Sequence, residues 1–306
     1  FVGSALVRSL LRRGITVRAL ARRTSDLCNI AGLDLEVFYG DLLDEESLIG
    51  ALHGCDTLYH VAAYYSTAEA DSQTMYEVNV RGTKTVMRAA LKAGVQRVVH
   101  TSTIGTIGQP VDASLATEET QFNLWDTCSH YVKSKYLAEL VALSMCNQGL
   151  AVVVVNPCAP VGPRDIKPSS TGQRLLDYLH GKQPSFAPGG INFISVRDVA
   201  EGEVLAAERG RVGEKYILGH MDGNLFLSDF LALMKRVSGV KQPRASRHLL
   251  ETRFLGETGF LKDHKPRALT CNPGKAIREL GLPQTPLETA FAEAIAWFRE
   301  NGYVHT

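Results

Sequence analysis

The chain has 306 residues, 45% of them hydrophobic, with 33 lysines and arginines against 32 aspartates and glutamates and a formal net charge of +1. That length encloses one large core or two modest ones. The balanced charge leaves no basic footprint for nucleic acid or an anionic membrane, and the longest apolar run, Leu150 to Val155, is far too short to span one.

Val2, Ala5, Leu6 and Leu10 recur at helical spacing, with Gly3-Ser4 ahead and Gly14 behind, which predicts a glycine-capped helix of about three turns. Ile15 to Ala21 is a short β-rich run followed by the polar loop Arg22-Arg23-Thr24-Ser25-Asp26. Leu35 to Tyr39 reads as a strand closed by Gly40-Asp41, and a short helix from about Asp44 to Leu52 leads to a strand over Thr57 to Ala62. One long helical segment is expected from Asp71 to Lys92, ended by Gly94, and then a strand over Arg97 to Ser102. A helix over Ser129 to Asn147 and the apolar strand Ala151 to Val155, stopped by Asn156-Pro157, complete the regular part. Strands alternate with helices, and several strands are apolar on both faces, which predicts a parallel sheet covered by helices on both sides. Beyond Pro157 the alternation weakens and proline and glycine rise, notably over Pro184 to Gly190. A smaller C-terminal part is expected there, with helices near Leu227 to Val237, Lys275 to Leu280 and Leu287 to Glu300.

The chemistry concentrates in Ser129-His-Tyr-Val-Lys-Ser-Lys135. Tyr131 and Lys135 are four residues apart, so on a helix they share one face. An ammonium beside a phenol favours the phenolate, so the pair predicts a tyrosine pKa below its ordinary value of about 10. A second Tyr-x-x-x-Lys, Tyr178 to Lys182, is read as a surface coincidence. The cysteines Cys28, Cys55, Cys128, Cys146, Cys158 and Cys271 form no C-x-x-C, and neither they nor the histidines show metal-ligand spacing. Free thiols in a reducing, cytoplasmic compartment and no metal are therefore expected.

Phe1-Val2-Gly3 ahead of a helix, a hydroxyl at the end of the Arg97 strand, Tyr131-x-x-x-Lys135, and Asn156-Pro-Cys-Ala-Pro-Val-Gly-Pro163 together resemble the extended short-chain dehydrogenase/reductases. Within them the chain is similar to NAD(P)-dependent epimerase/dehydratases and dihydroflavonol-reductase-like enzymes. Asp165 to Gly172 and Arg211 to Gly219 resemble the hopanoid-associated sugar epimerase group. The resemblance implies a doubly wound parallel sheet of the Rossmann type over residues 1–157. It implies a smaller, mixed substrate-binding region over 158–306, with segments returning to the first domain. Relative to that family, the chain lacks the first strand and the earlier glycines of the turn. It therefore reads as a fragment whose natural form is longer by one strand and a Gly-rich turn. The stretch between Pro243 and Cys271, which shapes the family's substrate pocket, is also unusually short.

The resemblance also assigns roles. Gly3 opens a helix whose N-terminus receives a pyrophosphate. Arg22 and Arg23 follow the second strand with no acid beside them, which suits the 2′-phosphate of NADP, with NAD also possible. Asp41 and Leu42 face adenine, although turn capping is the commoner role of such an aspartate. Ala62 and Ala63 are small where backbone nears the cofactor, and Pro157 and Val161 border the nicotinamide. Tyr131 is the general acid/base, Lys135 its pKa modifier and ribose ligand, and Thr103 the hydroxyl donor to substrate, with Thr101 and Ser102 as competitors. Asn79 is mostly structural, and Arg197 either faces substrate or serves as a surface residue. The implied protein is a homodimer, through the helices over Asp71–Lys92 and Ser129–Asn147, that acts on a sugar-like or polycyclic small molecule as epimerase or reductase. A 3β-hydroxysteroid dehydrogenase-like enzyme and a non-catalytic NADP-binding sensor or scaffold are the alternatives.

Overall fold

Two parallel blocks and one mixed sheet make up the computed structural model, which describes residues 1–112, 114–241 and 268–304. Helix α1 (Val2–Arg12) leads to β1 (Arg18–Ala21) and β2 (Glu36–Tyr39), which pair in parallel. Helix α2 (Glu45–Leu52) is capped by the Asp44 carboxylate, which accepts from Glu46 N and Ser47 N. A second block runs in the order β3-β4-β5-β8, from Thr57–His60, Arg97–Thr101, Val152–Pro157 and Lys215–Leu218, all parallel. The two blocks share no ladder bonds among the described residues.

Valines build this sheet's core in alternation. Val99, Val153 and Val155 face α7 (Val196–Arg209) and α9 (Gly274–Leu280), whereas Val98, Val152 and Val154 face α2, α4 (Gly82–Lys92) and α5 (His130–Ser144). A period of two with both faces apolar is what a parallel sheet between helix layers requires. Helix α1 packs on α7 through Leu6, Leu10, Ala200 and Val204. Thus α7 and β8, both beyond residue 157, return to the first layer.

A second core lies in the C-terminal part. The mixed sheet β6-β7-β9 (Ala159–Val161, Ile191–Ser195, Asn224–Leu225) packs with α6 (Ser170–Leu179), α8 (Leu227–Ser238) and α10 (Leu287–Glu300). Phe193, Phe230 and Phe291 stand at its centre with ring centroids 5.5–5.9 Å apart.

Two expectations need correction. The segment from Asp71 to Lys92 is not one regular helix: α3 (Ser72–Tyr76) passes into a π turn at Glu77–Arg81 before α4 begins. The wider turn holds Asn79, which bonds outward to the loop after β3, and such bulges often mark sites that aim a side chain. Tyr178 is not a surface residue. It is fully buried in the second core and donates to the Val240 carbonyl at 3.0 Å, while Lys182 is exposed. The Tyr178/Lys182 spacing therefore joins a core residue to a solvated one. Of the stretch from Pro243 to Cys271, only Ala268 to Cys271 falls among the described residues, and the rest of that reading lies outside them.

Candidate active site

The polar residues gather where the central strands end. Ser129 N-caps α5 by accepting from Val132 N, which fixes the helix that carries Tyr131 and Lys135 one turn apart. Lys135 is 3% exposed, and its ammonium donates to the Thr101 carbonyl, the last residue of β4, at 2.7 Å. That bond ties α5 to the end of the strand that delivers Thr103 two residues later. Thr103 then N-caps a short 3-10 turn over Ile104–Thr106, its hydroxyl oxygen accepting from Gly105 N at 3.2 Å. A hydroxyl that accepts in this way keeps its own proton for donation.

The two competing hydroxyls point inward. Thr101 Oγ1 donates to Glu203 Oε1 at 3.0 Å, and Ser102 Oγ lies 3.2 Å from Thr106 Oγ1, both pairs buried. Thr103 alone of the three is half-buried rather than sealed in.

Tyr131 departs from expectation. Its pKa is pushed up to about 12, not down, first by burial and then by Tyr65, whose ring meets it edge-on at 4.8 Å. The lysine does not oppose this because its ammonium is directed to the Thr101 carbonyl, and burial brings its own pKa down to about 8 against Glu139 and Glu203. In this state the site holds a protonated phenol.

Beneath lies a polar layer that sequence reasoning largely missed. Glu139, 1% exposed, accepts from Thr106 Oγ1 at 2.7 Å and Asn156 Nδ2 at 2.9 Å, and pairs with Lys215 at 3.4 Å. Its spacing of four from Lys135 on one helix was the available signal. His60 bonds Thr83 Oγ1 at 3.0 Å and lies 5.2 Å from His100, ring to ring, while both nitrogens of His100 lack a partner among the described residues. Asn79 takes the structural role expected of it: it accepts from Tyr64 N at 2.7 Å and donates to Tyr64 O and Ser134 Oγ, both at 2.9 Å.

Near the same ends of the strands, α1 begins without a side-chain cap, with Gly3 facing Val61 just past β3. Phe1, Arg22, Thr24, Ser25, Asp165 and Lys167 help line a cleft of about 280 Å³ there. A Cβ on Gly3 would meet only Val61, at 3.9 Å, so the described residues leave room beside it. Arg22 is exposed in the cleft, whereas Arg23 lies over the Tyr39 ring at 5.3 Å. Asp41 is exposed and accepts from Leu43 N at 2.9 Å, so one carboxylate oxygen serves the turn, and Leu42 packs where a Cβ on Gly82 would come within 3.2 Å. Ala62 and Ala63 are exposed just past β3, and Pro157 and Val161 are buried at the end of β5 and in β6. Arg197 pairs with Glu293 at 3.1 Å on the surface, which is the second of its two readings. A larger opening of about 530 Å³ near His220, Asp229 and Arg236 contains none of these residues. No three His, Cys, Asp or Glu side chains converge as a metal site among the described residues.

A tyrosine–lysine helix bound to the end of a central parallel strand, between two helix layers, sets the class as doubly wound α/β. Residues 1–219 match the NAD dependent epimerase/dehydratase family, and the chain belongs to that family. It is 38% identical over 325 residues, 100% of this chain and 94% of the relative, to a Synechocystis protein named as a candidate dihydroflavonol 4-reductase. It is also 38% identical over 324 residues, 99% of this chain and 97% of the relative, to sterol demethylase protein B of Methylococcus capsulatus. Among solved structures, the dTDP-glucose 4,6-dehydratase DesIV of Streptomyces venezuelae, with NAD bound, superposes at a TM-score of 0.79 with 27% identity over 99% of this chain and 96% of that one. The chain is thus an NAD(P)-dependent oxidoreductase of the extended short-chain dehydrogenase type.

The buried histidines make a prediction about stability. Burial lowers the pKa of His60 from 6.5 to about 3, and that of His100 well below 6.5, with the Lys135 charge adding to both. A depressed folded-state value means the stabilisation is full above the unfolded pKa and is lost as pH falls through the window from about 6.5 to about 3. Each histidine accounts for a slope of up to about 1.4 kcal/mol per pH unit. Urea melts between neutral and acid pH should show this loss. His100→Leu, which gives up no hydrogen bond, should remove about half the slope, and an unchanged slope would show that His100 protonates freely in the fold.

Proposed function

We propose that the chain is an NADP(H)-linked reductase of a ketone or carbinol carbon on a sugar-like or polycyclic small molecule, with Thr103, Tyr131 and Lys135 at the reacting centre. The observation that carries this is the Lys135–Thr101 bond at 2.7 Å, which holds the Tyr131 helix against the strand end that presents Thr103. The proposal puts the cofactor's phosphates in the cleft between the start of α1 and Arg22, which Lys167 also lines along with Asp26 and Asp165, and takes Arg22 as the guanidinium for a 2′-phosphate.

When bound, the nicotinamide cofactor supplies or accepts the hydride. Thr103 donates a hydrogen bond to the substrate oxygen and stabilises the charge that develops there. Tyr131 moves the proton at that same oxygen. Its phenol is protonated in this state, with a pKa of about 12, so it gives its proton to the oxygen of a carbonyl and must first lose it before accepting one from an alcohol. Lys135 holds the Tyr131 helix in place through the Thr101 carbonyl, and the proposal gives it the roles of pKa modifier and ribose ligand once the cofactor is bound. The 38% identities to relatives named for a dihydroflavonol reductase and a sterol demethylase component support a polycyclic substrate. Sugar epimerisation, which repeats the same transfer on the other face, is the second reading, and the likeness to DesIV, a dTDP-glucose dehydratase, supports its sugar substrate. The proposal places the enzyme in the cytoplasm. NADPH absorbance followed with a panel of ketones separates both readings from a non-catalytic binder.

Tyr131→Phe removes only the transferable proton, so turnover should fall by about 10²–10⁴-fold with NADPH affinity within a few-fold. Tyr178→Phe is the control. It should leave turnover unchanged while costing about 1 kcal/mol of stability through the bond lost to the Val240 carbonyl, and equal turnover in the two variants rules out the Tyr131 assignment.

Arg22→Ala combined with Arg23→Ala should weaken NADPH by roughly 10–100-fold and NADH far less, since only the former carries the 2′-phosphate. An equal loss for both cofactors returns the pair to a solvated loop.

The proposed assembly is a homodimer through α4 and α5, whose outer faces expose Leu91 and Leu140. Sedimentation at micromolar concentration should show the dimer, and a monomer there disposes of it.

A further inference from the structure

Thr101 uses its two polar ends in opposite directions. Its carbonyl accepts from the Lys135 ammonium at 2.7 Å, and its hydroxyl donates to Glu203 Oε1 at 3.0 Å. Glu203 belongs to α7, on the side of the sheet away from α5, and is 0% exposed. Its other oxygen, Oε2, has no hydrogen-bond partner among the described residues. Its helix neighbours Val199, Val204 and Leu205 are core residues, so packing does not explain an acid there. A carboxyl buried in this way is costly, and apolar residues of the same volume are commonly as stable or more so.

We propose that Glu203 is a positioning residue for the catalytic lysine: acting through Thr101, it keeps Lys135 a cation aimed at the end of β4. The proposal rests on the reading of Lys135 as part of the reacting centre.

Glu203 shares this task with Glu139 and is the partner that acts from α7 through Thr101. On the lysine's own helix, Glu139 is shared among Thr106, Asn156 and Lys215. From β3 and β4, His60 and His100 stay neutral and act on Lys135 only as further burial. Tyr59 of β3, which also faces Glu203, stays a phenol with its pKa raised to about 12. Arg13, at the C-cap of α1, is taken up by Glu201 and Glu208 of α7. Burial raises Glu203 to about 8 against Thr101 and Lys135, and lowers Lys135 to about 8 against Glu139 and Glu203. The two groups titrate as a coupled pair. As pH rises, the proton leaves Glu203, and the new carboxylate then resists loss of the lysine's proton. Glu203 thereby extends upward the pH range over which Lys135 is charged.

Glu203→Gln keeps the shape and the acceptor for Thr101 but cannot ionise. Side-chain ¹⁵N NMR of Lys135, assigned by the signal missing in Lys135→Met, reads the charge directly in the full chain without turnover. The Lys135 midpoint should fall by about one pH unit in Glu203→Gln and recover in Glu203→Asp. Turnover relative to the native protein should drop little at about pH 6 and roughly tenfold at about pH 9. Thr101→Val cuts the bridge from the other side and should move the midpoint in the same direction, which keeps the test open should the glutamine variant fold poorly. An unmoved Lys135 midpoint overturns the proposal, as does a loss of turnover that is equal at every pH. A shifted midpoint in a protein that reduces no ketone upholds the coupling and sinks the reductase reading instead.

Discussion

A single hydrogen bond, from the Lys135 ammonium to the Thr101 carbonyl, constrains everything above and below it. It fixes α5 against β4, and so fixes where Tyr131 stands relative to Thr103. It also commits the protein to burying a cation, at a cost of several kcal/mol before compensation. The compensation is visible around it. Two carboxyls, Glu139 and Glu203, approach from opposite faces of the sheet, and the two nearest imidazoles are kept uncharged by the same burial. The site's electrostatics follow from that one buried charge.

The sheet beneath is built to be stiff. Valines at Val98, Val99 and Val152 to Val155 fill both of its faces, and β-branched side chains pack well on a pleated surface with little freedom left. Polar residues appear only where the strands end. There the rule that buried polar groups find partners is relaxed. His100, Asn156 Oδ1 and Glu203 Oε2 supply four of the five buried side-chain atoms without a partner among the described residues, and they lie on both faces of the sheet close to the end of β4. Uncompensated polarity concentrated at one place is what a site shaped for charge handling leaves in a structure.

Much of this was legible in the chain. The spacing of Val2, Leu6 and Leu10 with Gly14 behind predicted α1, and Gly14 does take a left-handed conformation at φ 71°. The run Leu287 to Glu300 predicted α10 at its observed limits. The four-residue spacing placed Tyr131 and Lys135 on one helical face. The misreadings share a cause. The π turn at Asn79 accompanies bonds to Tyr64 and Ser134, residues distant in sequence that no local helix-breaking signal announces. Tyr178 looked solvated because its core partners are assembled from α8, α10 and the mixed sheet. The direction of the Tyr131 shift was misjudged because two residues on one helix face were assumed to be each other's main environment.

By itself, then, the sequence determined the local elements and the residue types at the reacting centre, because helix and strand periodicity are properties of neighbours along the chain. Only the tertiary structure decided the charge states. Thr101 meets Glu203 across 102 residues, and Asn156 meets Thr106 across 50. The return of α7 and β8 to the first layer brings Glu203 beneath the sheet and Lys215 beside Glu139. A pKa depends on burial and on every charge within several ångströms, whichever part of the chain supplies it. No spacing rule reaches that far, so the sequence could place a lysine beside a tyrosine without telling which of them the fold would hold to its proton.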